Sequence, residues 1–324
     1  MDPAALRISD EIAEALQSAR PVVALESALL SFGLPAPLNL ETYLEMENVI
    51  RRAGAIPAGT AVLAGHPCLG LSRPDVERLA DRAGCEKASV ADLAWVAASG
   101  RPGATTVAST MAIASTAGCR VFATGGIGGV HPGVAEDLDI SGDLAALGRY
   151  SMGVVCSGAK AILDVPKTLE LLEAIGVAVV GIGTSEFPLF YSRSSRRPIR
   201  SVATVSEAAS VVRQQRLLGL PGGVLLGNPV PAASALSLRE VQGWLDQAEG
   251  LMREAGITGR DRTPFLLGRL AELSGGRTVA TNRALLVDNA RVAAELAVTL
   301  SAMEGAGPPG RGPLYGWQGP SAGW

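Results

Sequence analysis

Three lysines, Lys87, Lys160 and Lys167, stand among 28 basic residues in this 324-residue chain; the rest are arginine. Arginine carries a surface charge as well as lysine does, but it does not readily lose its proton and does not form a Schiff base. A chain so poor in lysine keeps it where an amine is chemically needed, or retains it as a residue of codon usage. Lys160 closes the apolar run VVCSGAK and precedes the helical pattern AILDVPKTLELLEAI, a place where a fold delivers a reactive group to a pocket. Lys87 lies between a helical pattern and Ser89, at what reads as a strand edge. Lys167 falls in a polar helical turn and reads as ordinary.

The densest polar segment is ATGGIGGVHPGVAEDLDISGD, residues 123–143. Gly125, Gly126, Gly128 and Gly129 form a loop in which backbone N–H groups could approach an anion such as phosphate. The G-x-G-x-x-G spacing of a dinucleotide site is absent, and a plain strand-end loop explains the glycines equally well. Asp137, Asp139 and Asp143 follow. Three carboxylates suit a hard divalent cation such as Mg²⁺ or Mn²⁺, which takes oxygen ligands and keeps several waters. Alternatively Ser141 and Asp143 cap the helix DLAALGRY. His131 is one of two histidines; it could be a ligand, an acid/base, a substrate donor or a structural residue, while His66 reads as a turn residue. Glu26 ends the run VVALES, where burial raises a carboxyl pKa and suits it to general acid work; capping a neighbouring helix is the alternative.

Short apolar runs and longer helical patterns position these groups. Strands are expected over 22–27, 60–65, 120–129 (running into the glycine loop), 151–158, 177–184 and 222–229. Helices are expected over 41–54, 72–84 (capped by Ser72 with Pro74 in the first turn), 89–99 (capped by Ser89), 105–118, 238–256, 263–276 and 281–304. Strands this apolar, separated by helices, predict an α/β fold: a mostly parallel central sheet flanked by helices on both faces, with a helical C-terminal third. Glu26, Lys87, Asp139, Asp143 and Lys160 then fall at strand ends, where open α/β sheets bind ligands. Residues 1–304 read as a single catalytic domain. Residues 305–324 are rich in Gly and Pro and read as a disordered tail.

Composition narrows the classes. Hydrophobic residues make up 48% and charged ones 18%, enough for a sizeable core, and the net charge is −3 with no strongly basic stretch. A nucleic-acid polymer is therefore an unsuitable partner. Arg193, Arg196 and Arg197 read as a solvated loop or a local anion site. Cys68, Cys85, Cys119 and Cys156 form no CxxC pair. The acidic, amphipathic N-terminus is unlike a signal peptide, and no apolar stretch is long enough to span a bilayer. The expected setting is a reducing cytoplasm.

From about Ile8 to Met303 the chain resembles the pseudouridine-5′-phosphate glycosidase family. The resemblance rests on VVALES, PAGTAVLAG, GATTVASTMAIA, RVFATGGIGGVHPG, DISGDL, VVCSGAKAILD, TSEFPLFYSR, GLPGGVLLGNPVP, TPFLLGRLAELSGG and TNRALLVDNARVAAELA, in order. It implies reversible cleavage of the C–C glycosidic bond of pseudouridine 5′-phosphate to uracil and ribose 5-phosphate, a divalent metal, typically Mn²⁺, and a homotrimer. It also implies that Lys160 is the nucleophile, Glu26 the proton donor and Asp139 the metal ligand. Lys87, Val107, Ser141, Gly142 and Asp143 take substrate-contacting positions, with His131 and Asn289 in segments lining the same site.

One segment departs from the family. The pattern after the first strand commonly reads E-S-T-I-I-S-H-G, and this chain has ESALLSFG, placing Ala28 and Phe32 where a hydroxyl and a histidine usually stand. Two other readings stay open: a Schiff-base lyase or aldolase acting on another sugar phosphate, and a catalytically silent sugar-phosphate-binding protein.

Overall fold

A computed structural model describes residues 1–257, 259 and 262–305. Among the described residues, eleven strands form one sheet: β1 (Arg7–Ile8), β2 (Val22–Leu25), β3 (Ile56–Leu63), β4 (His66–Leu69), β5 (Glu86–Ala88), β6 (Gly103–Thr105), β7 (Val121–Ala123), β8 (Gly153–Cys156), β9 (Ala178–Ile182), β10 (Arg200–Val202) and β11 (Val224–Gly227). The order β3-β2-β7-β8-β11-β9-β10 is parallel throughout. β2, β7, β8 and β11 are buried along their whole length, as expected for strands covered on both faces. The long helix Arg277–Gly305 packs on β2, β7 and β8 with helices Leu38–Arg52 and Val205–Leu217 beside it; helix Val107–Thr116 packs on β2, β3 and β4 with helix Gly142–Arg149 as its neighbour. The expected mostly parallel α/β architecture with a helical C-terminal third is the one observed.

The edge beyond β3 differs from a pure alternation of strands and helices. Ala64 and Gly65, both at positive φ, turn the chain back on itself, so β4 runs antiparallel to β3; β6, which arrives later through a separate connection, also pairs antiparallel with β3. His66 accordingly opens β4, opposite Leu63, instead of sitting in the turn. β5, carrying Lys87, pairs in parallel with β6. The expected strand at 60–65 thus begins four residues earlier and ends in a hairpin. Ser72 caps its helix with a reciprocal Asp75 bond, but that helix stops at Ala80. The last helix continues to Gly305; residues 306–324 of the expected tail lie outside the described residues. Among the described residues, no helix is long and apolar enough to cross a membrane.

Candidate active site

Parallel pairing sends the C-terminal ends of β2, β7 and β8 to one rim. Leu25 and Ala123 are register partners, as are Ala123 and Val155, so the residues that follow them meet. Glu26 comes directly after β2 and Thr124 directly after β7, and the Thr124 hydroxyl donates to Glu26 Oε1 at 2.5 Å. Lys160 follows β8 through the turn Ser157–Gly158–Ala159. Its N–H donates to the Ile127 carbonyl at 3.1 Å. Gly158 makes that turn possible: it stands at φ +82, and a Cβ there would lie 1.9 Å from the Pro188 carbonyl oxygen.

These side chains border a cavity of about 240 Å³. Glu26, Lys87, Val107, His131, Ser141, Gly142, Asp143 and Lys160 all line it. Glu26 is buried, and burial pushes its carboxyl pKa up; the positive charge of Lys160 and the Thr124 bond oppose that rise. Such a group is suited to hold a proton for delivery. Lys87 reaches the cavity from within β5 and not from a strand end, because its strand pairs with β6 on the edge of the sheet. A smaller hollow of about 60 Å³ lies near the opposite strand ends, around Cys119, Arg120 and Glu304, and contains no comparable acid–amine pair.

Asp143 has a defined structural task. Its carboxylate is buried, with Oδ1 accepting from the Ala108 N–H at 3.0 Å and Oδ2 from the Gly128 N–H at 2.8 Å. It therefore ties the glycine loop to the start of helix Val107–Thr116, while Ser141 Oγ caps Asp143's own helix. The glycines answer to packing. A Cβ on Gly128 would fall 2.2 Å from Ser141 Oγ, one on Gly126 2.6 Å from the Phe190 ring, and one on Gly129 2.5 Å from Thr168 Oγ1. Gly125, Gly126 and Gly128 still face the cavity.

Two expected site residues stand outside the lining. Asn289 is completely buried one layer behind it, donating to the Thr124 carbonyl at 2.8 Å and to Ser157 Oγ at 3.1 Å, and accepting from Asn228 Nδ2 at 3.0 Å. Asp139 lies beside the cavity on the 131–139 loop, which is closed by the His131 N–H donating to the Asp139 carbonyl at 3.0 Å. Its carboxylate is engaged by Arg262 at 3.3 Å, and Asp137 by the same guanidinium at 3.0 Å. Asp137, Asp139 and Asp143 do not converge, and no group of three metal-ligating side chains occurs among the described residues. The donor chemistry fits a cation held by one carboxylate and otherwise by water, provided the guanidinium yields. His131 is buried and lines the cavity; burial pushes its pKa down, against the pull of Asp139. Its Nδ1 is buried with no hydrogen-bond partner.

Several lining residues had no signal in the sequence. Thr106 and Ser89 come from helix caps. Phe190 stands at φ +49 in a loop. Thr263, Leu267, Asn282 and Leu286 arrive from the C-terminal helices. Ala28 and Phe32, the departures beside Glu26, line the cavity too. Arg193 instead donates to the Val230 carbonyl, and neither it, Arg196 nor Arg197 borders this cavity. The four cysteines are free thiols. Burial raises all four pKa values, Cys119 to about 11 and Cys156 to about 12, which suits core residues and not nucleophiles.

Residues 11–299 match the family model described as Indigoidine synthase A like protein, and the chain belongs to that family. Curated relatives include the pseudouridine-5′-phosphate glycosidase of Solibacter usitatus, 48% identical over 91% of this chain and 99% of the relative. That of Deinococcus radiodurans is 48% identical over 90% and 94%. A solved structure of the prealnumycin C-glycosynthase AlnA in complex with ribulose 5-phosphate superposes with a TM-score of 0.87, at 39% identity over 93% of this chain and 98% of that one. An indigoidine synthase A-like protein from Thermotoga maritima gives 0.83 at 32% identity, over 91% and 96%. At this identity and coverage the chain is an enzyme of the pseudouridine-5′-phosphate glycosidase kind.

Proposed function

We propose that this chain reversibly cleaves the C–C glycosidic bond of pseudouridine 5′-phosphate, giving uracil and ribose 5-phosphate, with Lys160 as nucleophile and Glu26 as proton donor. The observation that carries this reading is the meeting of a buried carboxyl with a raised pKa and a half-buried amine at one cavity rim. A C–C bond offers no leaving heteroatom to protonate, so the paired carboxylates of ordinary glycosidases are insufficient. An amine changes the problem. Lys160, as the free base, adds to C1′ while the C1′–O4′ bond breaks; the ribose opens, and the new ammonium passes a proton to the O4′ alkoxide, which restores the nitrogen lone pair. The nitrogen lone pair then forms a C=N bond as the C1′–C5 pair of electrons returns to uracil, which takes its proton at C5 from Glu26. Water hydrolyses the imine, releasing ribose 5-phosphate and the amine.

Lys87, Val107, Ser141, Gly142, Asp143 and His131 are assigned to substrate contact, and Asn289 to holding the rim from behind. Asp139 is the residue that would hold a divalent cation, Mn²⁺ or Mg²⁺, which when bound supplies positive charge beside the substrate. A single catalytic domain over 1–304, a homotrimeric assembly and a cytoplasmic location belong to the same proposal, supported by the family resemblance. Four free, non-nucleophilic thiols accord with a reducing compartment.

The test is synthesis in reverse. Uracil, ribose 5-phosphate and Mn²⁺ should yield a C-nucleotide, and borohydride trapping with substrate should mark Lys160 by mass spectrometry; no product with uracil sinks the reading. One observation favours a second reading, C-glycoside formation with another aglycone. Ala28, Leu29, Phe32 and Leu267 give the cavity an apolar flank, and the AlnA neighbour is a C-glycosynthase. That reading expects product only when a larger aromatic acceptor replaces uracil.

A further inference from the structure

Arg262 opens helix Arg262–Leu273, whose Thr263 and Leu267 line the cavity. Its side chain is only 13% exposed. Nη1 reaches Asp137 Oδ2 at 3.0 Å and Asp139 Oδ2 at 3.3 Å, and Nη2 donates to the Pro132 carbonyl at 3.1 Å. One guanidinium therefore clasps the 132–139 loop at three points and anchors it to the cavity-wall helix. Its Nε is buried without a partner, so the clasp is not an optimised structural bond set. A divalent cation at Asp139 would meet the Arg262 charge across the carboxylate that Arg262 now neutralises, and like charges that close repel in a half-buried setting.

We infer that Arg262 is an internal competitor for the cation at Asp139 and sets the metal affinity of this enzyme. Guanidinium and cation exchange on the same carboxylate: when the cation takes Asp139, Arg262 gives it up and holds the 132–139 loop by Asp137 and Pro132 alone. Metal binding is therefore weakened by the cost of breaking the Arg262–Asp139 contact, and the metal-free loop is held in place by the protein itself. The inference rests on the reading of Asp139 as metal ligand and adds a residue that opposes it.

The full-length protein, stripped of metal, is titrated with Mn²⁺ alone, following the loss of the free-ion electron paramagnetic resonance signal. Arg262→Met should bind Mn²⁺ at least tenfold more tightly than wild type. Arg262→Lys, whose ammonium cannot span the three acceptors, should fall between and serves also if the methionine variant does not fold. Asp139→Asn should abolish the tight binding in every background. Equal affinity in wild type and both Arg262 variants, with binding lost in Asp139→Asn, overturns the competition while leaving Asp139 as ligand. Binding unaffected by Asp139→Asn, or no binding in any variant, overturns the competition and the Asp139 reading together.

Discussion

The Thr124 hydroxyl and the Glu26 carboxyl meet across two neighbouring parallel strands, 2.5 Å apart, because Leu25 and Ala123 are register partners and each strand ends one residue before the pair. Thr124 itself is fully buried and lies outside the cavity lining. It occupies Oε1 and so leaves the other carboxyl oxygen to carry the proton. Around the carboxyl stand Lys160 and Lys87, which favour its ionised form, and Asp143, which opposes it.

Removing that hydroxyl should move the acid. The Thr124 bond stabilises ionised Glu26 against the larger effect of burial, so Thr124→Val should push the Glu26 pKa further up. A general acid works while protonated, and the high-pH limb of kcat/KM that reports its ionisation should shift to higher pH in Thr124→Val and stay in place in Thr124→Ser. A limb unmoved in the valine variant would show that the group titrating there is not Glu26.

Glu26 should also cost the fold stability at neutral pH. Burial raises its folded pKa above the ordinary carboxyl value of 4.5. The unfolded chain therefore loses this proton at lower pH than the folded one, and stability falls as pH rises from about 4.5 through the raised folded value. Above that window the full penalty is present. Glu26→Gln removes it: the variant should lose turnover yet melt higher than wild type at pH 8, with the gap closing toward pH 4.5. Thermal melts across this range provide the measurement.

The rim was legible where chemistry coincided with local pattern. Glu26 and Lys160 end or follow apolar β-branched runs, and such runs announce parallel strands and hence a shared edge. Thr124 was invisible because its value depends on which strand neighbours which, and at what register, neither of which periodicity records. Lys87 sits inside a three-residue strand too short to give a period of its own. Asn289 points under the rim because helix Arg277–Gly305 packs on β7 and β8, burying the face that a helical wheel shows only as mixed. The aspartates looked like one cluster in sequence. The loop closed between His131 and Asp139 separates them, turning Asp143 to backbone amides and Asp139 to an arginine 123 residues away.

The two lysines seven residues apart should behave oppositely. Lys160 is half-buried at the cavity, whereas Lys167 is 54% exposed and pairs with Asp164 at 2.8 Å across the first turn of helix Val165–Ala174. Borohydride treatment with substrate should leave a sugar phosphate on Lys160 and none on Lys167. Lys160→Ala should abolish the adduct and the turnover, and Lys167→Ala should keep turnover near wild type, with at most about 0.5 kcal/mol of stability lost with an exposed pair. An adduct persisting in Lys160→Ala would reassign the nucleophile.

Asn289 should matter to the fold before it matters to the reaction. Its amide carries the only direct side-chain bond from helix Arg277–Gly305 to the Thr124 carbonyl among the described residues, and it links Ser157 and Asn228 in the same buried set. Asn289→Leu is nearly isosteric but cannot bond, so it takes the side-chain partner from the Thr124 carbonyl and the Ser157 hydroxyl, while the Asn228 amide keeps Asp288. Unsatisfied buried groups of this kind cost about 1–3 kcal/mol each, and the variant should lose roughly 2–4 kcal/mol in denaturant unfolding. Because Asn289 does not line the cavity, the folded fraction should retain its substrate KM while kcat falls as the Glu26–Thr124 pair loosens. A large rise in KM with stability unchanged would instead place Asn289 in direct contact with substrate.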